Sequence, residues 1–337
     1  MPEKEKNGEG VSLSRVSIPR EQLQIGSVTL SIAAIFLVAS IVQALAHTLI
    51  LSLHPTLISR DYYRWVISAL PMYLVAMPLS FLILRLGKAS PPEKTERIGI
   101  PTLLGFLAIC FFLTYAGQLF GNVVNFLIGF FTGHVPENTL ESATMDAPRW
   151  VNLVFVGILA PVMEELFYRK LVIDRLRRYG DVFAMLSSGI VFGLIHGNFY
   201  QFFYAASIGC LFGFVYVRTG RIHYTVILHC VINLFGGVYA AEMLKLLDRE
   251  LLAKDPLSAL GQSPAGAVML LLYFGVLMLS CIGAVVAAIF FFRRWRRASF
   301  WKGSVRPSAR EWVRMTLLNP GVYFMCLVIV MLFLNNL

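Results

Sequence analysis

The stretch APVMEELFYR places two adjacent carboxylates and an arginine at the end of a long apolar run. Glu165 and Arg169 are four residues apart, so on a helix they lie on one face and can form an ion pair. Glu164 is rotated by about 100° from Glu165 and points elsewhere. Because a charge in an apolar environment is costly unless it is paired, the sequence predicts that Arg169 holds Glu165 and leaves Glu164 free for chemistry.

Three further polar side chains occur in two later apolar runs. His196 ends the run VFGLIH, and His229 and Asn233 lie four residues apart in HYTVILHCVIN, on one helical face. His196 alone is better explained as a satisfied core residue, and His229 or Asn233 alone is equally well explained as structural. Together with the two glutamates they favour a polar site between helices. The alternative for the glutamate pair and its arginine is a helix-end cluster at the cytoplasmic boundary.

The composition indicates that these residues belong to a membrane protein. Of 337 residues, 57% are hydrophobic and 14% are charged, whereas soluble domains carry roughly 25% charged residues. The net charge of +10 fits basic cytoplasmic loops better than nucleic-acid binding, so we expect no nucleic-acid partner. All five cysteines lie in apolar runs, which argues against a disulfide framework or a thiolate metal cluster.

The apolar runs predict an all-α fold, a polytopic bundle of transmembrane helices with about 8–9 spans. The nine candidate spans are 27–53, 65–86, 100–132, 151–173, 182–200, 202–219, 223–243, 265–292 and 319–336. The third and eighth are long enough to be tilted, kinked or broken, with Gly117 and Gly121 as the sites for a break in the third. Whether the ninth truly crosses is left open. The chain then divides into a disordered cytoplasmic tail (1–26), N-terminal helices (27–149), a core that holds the polar residues (150–243) and C-terminal helices (244–337).

The basic residues predict the orientation of this bundle. With a cytoplasmic N-terminus and nine alternating spans, most of the 29 Lys and Arg residues fall in cytoplasmic segments. The segment 133–149 contains three acidic residues and falls outside. The sequence therefore predicts an integral, multi-pass membrane protein with a cytoplasmic N-terminus and an external C-terminus.

Three short motifs follow one another in the predicted core. EELFYR, FGLIH and HCVIN fit the patterns EExxxR, FxxxH and HxxxN within residues 150–240. In order and spacing they resemble the CPBP family of intramembrane proteases, which includes type II CAAX prenyl endopeptidases and bacteriocin-processing and self-immunity proteins. Lys170 after the first motif, and His223, Tyr224 and Thr225 before the last, differ from the residues that relatives often have. These departures leave every motif position filled.

The resemblance implies an intramembrane endopeptidase that cleaves a membrane-associated protein or peptide, including prenylated CAAX-type substrates. The catalytic residues that it implies are Glu164, Glu165, Arg169, His196, His229 and Asn233. Glu164 would activate water with help from His196. His229 and Asn233 would hold the oxyanion or the scissile carbonyl. Glu165 with Arg169 would orient the site. The expected partners are the lipid bilayer and this membrane-associated substrate.

Three alternatives stay open at this level. We favour a mechanism without metal or cofactor, but two histidines and a glutamate also suit zinc, with Glu164, His196 and His229 as its ligands. A proton-coupled membrane transporter is a second interpretation, because Glu and His within the membrane are typical of proton relays, although no inverted repeat is evident. A non-catalytic bacteriocin-immunity protein of the same fold is the third.

Overall fold

The computed structural model describes residues 16–94, 97–295 and 299–336, and within these ranges the chain is helical, with no strand. Most of the predicted N-terminal tail, residues 1–15, lies outside the described residues. The helices are α1 (Ile18–Leu53), α2 (Tyr63–Leu84), α3 (Ile100–Thr132), α4 (Thr139–Asp146), α5 (Arg149–Tyr179), α6 (Asp181–Leu194), α7 (Phe199–Thr219), α8 (Ile222–Lys245), α9 (Arg249–Lys254), α10 (Pro256–Gln262), α11 (Pro264–Trp295), α12 (Ala309–Leu317) and α13 (Pro320–Leu334). A short 3₁₀ turn, Pro55–Leu57, connects α1 to α2.

The predicted polytopic helical bundle is confirmed. Among the described residues seven helices are long and apolar enough to cross a membrane, and the bent pair α12–α13 makes up to eight. The fifth span, predicted at 182–200, is shorter in the structure. Its helix, α6, has 14 residues and is about 21 Å long at 1.5 Å per residue. It is short because the chain turns at Gly197, which has a positive φ of 66°. The predicted ninth span is α13, whose axis makes an angle of 66° with α12.

Helix α1 begins inside the predicted tail, which had been expected to extend to residue 26. It starts at Ile18 and buries Glu21. Arg178 donates a hydrogen bond to one carboxylate oxygen of Glu21 at 2.8 Å, and Tyr179 donates to the other at 2.7 Å. Because these two donors satisfy the carboxylate, Glu21 is tolerated inside the bundle. Residues 18–26 therefore belong to the helical bundle and not to a tail.

Helix α3 is continuous from Ile100 to Thr132, so of the tilt, kink or break considered for this long span, the break at Gly117 or Gly121 does not occur. Both glycines face α7, where an added Cβ would overlap backbone atoms of Tyr204 and Phe199. Small residues let two helices approach closely within a membrane. The two glycines therefore set the spacing between α3 and α7.

The hairpin of α6 and α7 is the most extensively packed helix pair in the described chain. Gly189 and Gly193 lie one turn apart on α6, and Gly209 and Gly213 do the same on α7. A Cβ at Gly189 would overlap the backbone of Cys210 on the facing helix. The two helices therefore pack backbone against backbone, next to α5 and α8.

Gly189→Ala should lower the free energy of unfolding by about 1–3 kcal/mol, because the added methyl group overpacks the contact between α6 and α7. Gly275→Ala is the matched control, since Gly275 lies within α11 and an added Cβ there meets nothing within 4 Å. That control should be neutral or stabilise by up to about 1 kcal/mol. Unfolding of the purified protein in detergent measures both changes, and equal effects would contradict the close packing.

Candidate active site

A cavity of about 540 Å³ lies among α2 to α8, and α11 contributes Tyr273 to its wall. Four of the six residues singled out in the sequence line it: Glu164, His196, His229 and Asn233. The other two, Glu165 and Arg169, are completely buried. The structure thus brings all six together from α5, the end of α6 and α8.

The predicted ion pair is formed. Arg169 Nε lies 3.1 Å from Glu165 Oε2, and neither side chain is exposed. Arg169 also donates a hydrogen bond to Ser188 Oγ at 3.1 Å. Its guanidinium carbon lies 4.7 Å from the ring centroid of Phe192 and 5.7 Å from that of Phe212. Aromatic faces attract cations, so α6 and α7 surround the buried charge with groups that favour it.

His229 connects the two glutamates. Its Nδ1 lies 3.0 Å from Glu165 Oε1, and its Nε2 lies 3.8 Å from Glu164 Oε2. Because the carboxylate paired with Arg169 accepts hydrogen bonds, Nδ1 carries the proton. In the neutral ring Nε2 is then an acceptor directed at Glu164. Glu165 therefore sets both the tautomer and the orientation of His229.

Glu164 has different surroundings from its neighbour. Tyr73 of α2 donates a hydrogen bond to its Oε1 at 3.1 Å, and the Glu164 side chain is 15% exposed toward the cavity. Arg169, Glu165, His229, Glu164 and Tyr73 consequently follow one another in a single row of contacts, which we call the polar chain. It crosses from α5 to α8, returns to α5 and ends on α2.

Tyr73 is the member of the polar chain that sequence reasoning missed. It lies about 90 residues before the glutamates, outside the three motifs, and no spacing relates it to them. Its neighbours Pro71 and Pro78 are a signal of irregular helix, and the structure has a π-helical turn at Pro71–Ala76. That signal indicates a local distortion but does not indicate which side chain it directs inward.

His196 lies two residues after the end of α6, on the cavity wall and outside the polar chain. Its Nδ1 lies 2.7 Å from the carbonyl oxygen of Phe192, and because a carbonyl only accepts, Nδ1 carries the proton and Nε2 is the acceptor of the neutral ring. Asn198 donates to the His196 carbonyl at 2.8 Å and caps α7 by accepting from the Gln201 amide at 3.0 Å. The turn therefore holds the imidazole in place.

Asn233 donates its side-chain amide to the carbonyl of Val156 at 3.0 Å. Val156 lies in a π-helical turn, Asn152–Leu159, and such turns replace i→i−4 hydrogen bonds by longer ones. Two more π-helical turns adjoin the site, Glu165–Ile173 in α5 and Leu234–Tyr239 in α8. Irregular turns of this kind are frequent at functional sites.

The zinc ligands that the sequence suggests are Glu164, His196 and His229. In the described part of the chain no three His, Cys, Asp or Glu side chains are grouped so that they could hold a metal ion. Nδ1 of His196 is engaged with a backbone carbonyl, and Nδ1 of His229 is engaged with Glu165. Nε2 stays available on both rings, as it does in a histidine that binds a metal through one ring nitrogen and donates from the other, so the metal-free mechanism stays a prediction.

Comparison with known proteins gives two matches. Residues 146–235 match the family described as type II CAAX prenyl endopeptidase Rce1-like. The chain is also 27% identical over 178 residues to a protein of Bacillus subtilis (strain 168) whose name, membrane peptidase YdiL, is itself provisional; the match covers 50% of this chain and 70% of that protein. No solved structure matches the chain significantly. The family match contains all three motifs and confirms the resemblance inferred from them.

Arg169→Ala should lower the free energy of unfolding by about 3–5 kcal/mol, because it leaves Glu165 buried without its partner. Lys170→Ala is the matched control: Lys170 also pairs with a carboxylate four residues later, Asp174, at 2.9 Å, but its side chain is 43% exposed. Its loss should stay below about 1 kcal/mol. Chemical denaturation in detergent measures both, and a loss for Arg169→Ala no larger than the control would contradict the structural role of the ion pair.

Proposed function

Because residues 146–235 match the Rce1-like family of type II CAAX prenyl endopeptidases, we propose that this chain is an intramembrane endopeptidase of the CPBP family in which Glu164 activates water. The observation that carries this proposal is the different environment of two adjacent glutamates. Glu165 is held by Arg169 at 3.1 Å, whereas Glu164 faces the cavity with the imidazole of His229 at 3.8 Å. One carboxylate is thus used for structure, and the other is available to a substrate.

Peptide hydrolysis needs a base for the attacking water, an acid for the leaving amine and a donor for the oxyanion. In the proposed reaction Glu164 accepts a proton from water, and the water oxygen bonds to the scissile carbonyl carbon to give a tetrahedral oxyanion. The oxyanion then re-forms the carbonyl as the C–N bond breaks. Glu164 returns its proton to the amine nitrogen, which regenerates the carboxylate.

The geometry supports specific roles for the other side chains. Tyr73 fixes Oε1 of Glu164, so Oε2 is the oxygen that faces His229 and the reacting water. The imidazole beside Glu164 is that of His229, whereas the resemblance alone implied assistance from His196. The side-chain amide of Asn233 has a second N–H besides the one it donates to Val156. Asn233 is therefore a better candidate than His229 to donate a hydrogen bond to the oxyanion.

The cavity wall supports an apolar substrate. It contains the rings of Phe111, Phe155, Phe192 and Phe235, and apolar lining with few polar groups is typical of ligand pockets. We infer that the substrate is a membrane-associated protein or peptide with an apolar side chain near the scissile bond. A prenylated CAAX-type peptide and an unmodified apolar peptide are the two substrates to compare.

Glu164→Gln should reduce cleavage by at least about 100-fold, because a carboxamide cannot accept the proton of water. Its unfolding midpoint should stay close to that of the wild type, since Glu165 keeps Arg169. Glu250→Gln is the matched control, because Glu250 lies on α9 with its side chain 90% exposed, and it should cleave normally. The assay uses purified protein in lipid vesicles with each peptide, and mass spectrometry identifies the products.

Two outcomes of this assay would change the proposal. Undiminished cleavage by Glu164→Gln would reject Glu164 as the base and make Glu165 the candidate. Loss of wild-type activity on treatment with a chelator, followed by recovery on addition of zinc, would contradict the metal-free mechanism. The second result would leave the assignment of the site residues in place.

A further inference from the structure

We propose that the substrate enters the cavity from the extracytoplasmic side of the membrane. This inference rests on the proposed function and adds a direction to it. The scissile segment then belongs to the membrane-embedded or extracytoplasmic part of a membrane protein or peptide. A tail presented from the cytoplasm does not reach the site by this route.

The cavity opens toward the end of the bundle that carries α4. From the level of Glu164 its lining continues to Asn138, Glu141 and Met145 on or beside α4, and to Leu244 near the end of α8. The Glu141 side chain is 36% exposed and pairs at 2.7 Å with Arg249, whose side chain is 58% exposed. Because both partners of this pair are in contact with solvent, the lining reaches the surface there. The entrance is therefore formed by α4 and the last turn of α8, and we call it the mouth.

The opposite end of the bundle is closed by buried polar contacts. Arg178 of α5 pairs with Glu21 of α1 at 2.8 Å, with side chains 8% and 3% exposed. Tyr216 of α7 donates to Asp174 of α5 at 2.8 Å, and Gln24 of α1 donates to a backbone carbonyl of α5 at 2.9 Å. These contacts join three helices between the site and that surface, and a substrate entering there would have to break them.

The segment 299–305 is attached to the same closed end. The Trp301 amide donates to the Asp181 carboxylate at 2.8 Å, and the Asp181 amide donates to the Trp301 carbonyl at 2.9 Å. The Val305 amide donates to the Arg178 carbonyl at 3.1 Å. Gly303, with a positive φ of 83°, allows this segment to lie directly against the α5–α6 connection. It adds a second layer over the closed end.

The distribution of charge assigns the two ends to the two sides of the membrane. The connections at the closed end, 85–97, 175–178, 218–221 and 302–314, are rich in Lys and Arg. The connections at the mouth, 60–64, 133–149 and 245–254, hold six Lys and Arg against thirteen at the closed end, and 133–149 contains Glu137, Glu141 and Asp146. Because basic residues collect on the cytoplasmic side, the closed end is cytoplasmic and the mouth is extracytoplasmic.

Single cysteines test this direction without reference to catalysis. Met145→Cys and Leu244→Cys place a thiol at the mouth, and Ala160→Cys places one on the cavity wall, one turn before Glu164. Ala89→Cys, at an exposed position on the closed end, is the control. The parent chain with its five free natural cysteines gives the background. A cationic, membrane-impermeant methanethiosulfonate is added to right-side-out or inside-out vesicles, and mass spectrometry counts the added groups.

The mouth variants and Ala160→Cys should react at least ten times faster in right-side-out vesicles, and Ala89→Cys should show the reverse. Faster reaction of Ala160→Cys in inside-out vesicles would contradict entry through the mouth. Reaction of the mouth variants only in inside-out vesicles, in both kinds, or in neither would overturn the proposal. The two mouth positions lie on different helices, so misfolding of one variant leaves the other to decide. The two proposals can fail separately. Labelling from the wrong side would reject the entry direction even if the wild type cleaves and Glu164→Gln does not. The expected labelling without any cleavage would reject only the proposed function.

Discussion

The buried ion pair between Glu165 and Arg169 is the interaction on which the site depends. Neither side chain is exposed, and a charge in such surroundings is tolerated only with a partner. Because Arg169 neutralises Glu165, that carboxylate can accept the Nδ1 proton of His229 at 3.0 Å, which turns Nε2 toward Glu164. A local relation within α5, two residues four positions apart, thus determines the direction of an imidazole on α8.

The same helix gives its two adjacent glutamates opposite environments. A rotation of about 100° per residue places Glu165 against α6 and α7, where the ion pair is enclosed by Phe192 and Phe212. It places Glu164 toward α2 and the cavity, where Tyr73 is its donor. The proposed chemistry follows from this separation, because a base must reach the substrate while the charges that position its partner stay away from water.

The features that could be predicted from the sequence are local ones. The length of the apolar runs predicted the helices, and the spacing of Glu165 and Arg169 predicted their contact. The features that were missed depend on residues far apart in the chain. Glu21 is buried because it meets Arg178, 157 positions later, and hydropathy alone places such a residue in a tail. Tyr73 reaches Glu164 across 91 positions, and Gly117 is explained only by the backbone of Tyr204.

The central claim is that the polar chain acts as a unit, and a double-mutant cycle between Glu165 and His229 tests it most directly. Cleavage rates are measured for Glu165→Gln, His229→Asn and the double variant, with folding checked by the unfolding midpoint. If Glu165 acts by orienting His229, the double variant is scarcely slower than the slower single variant, with a coupling free energy of about 1–3 kcal/mol. Two effects that simply multiply, with no coupling, would contradict the account.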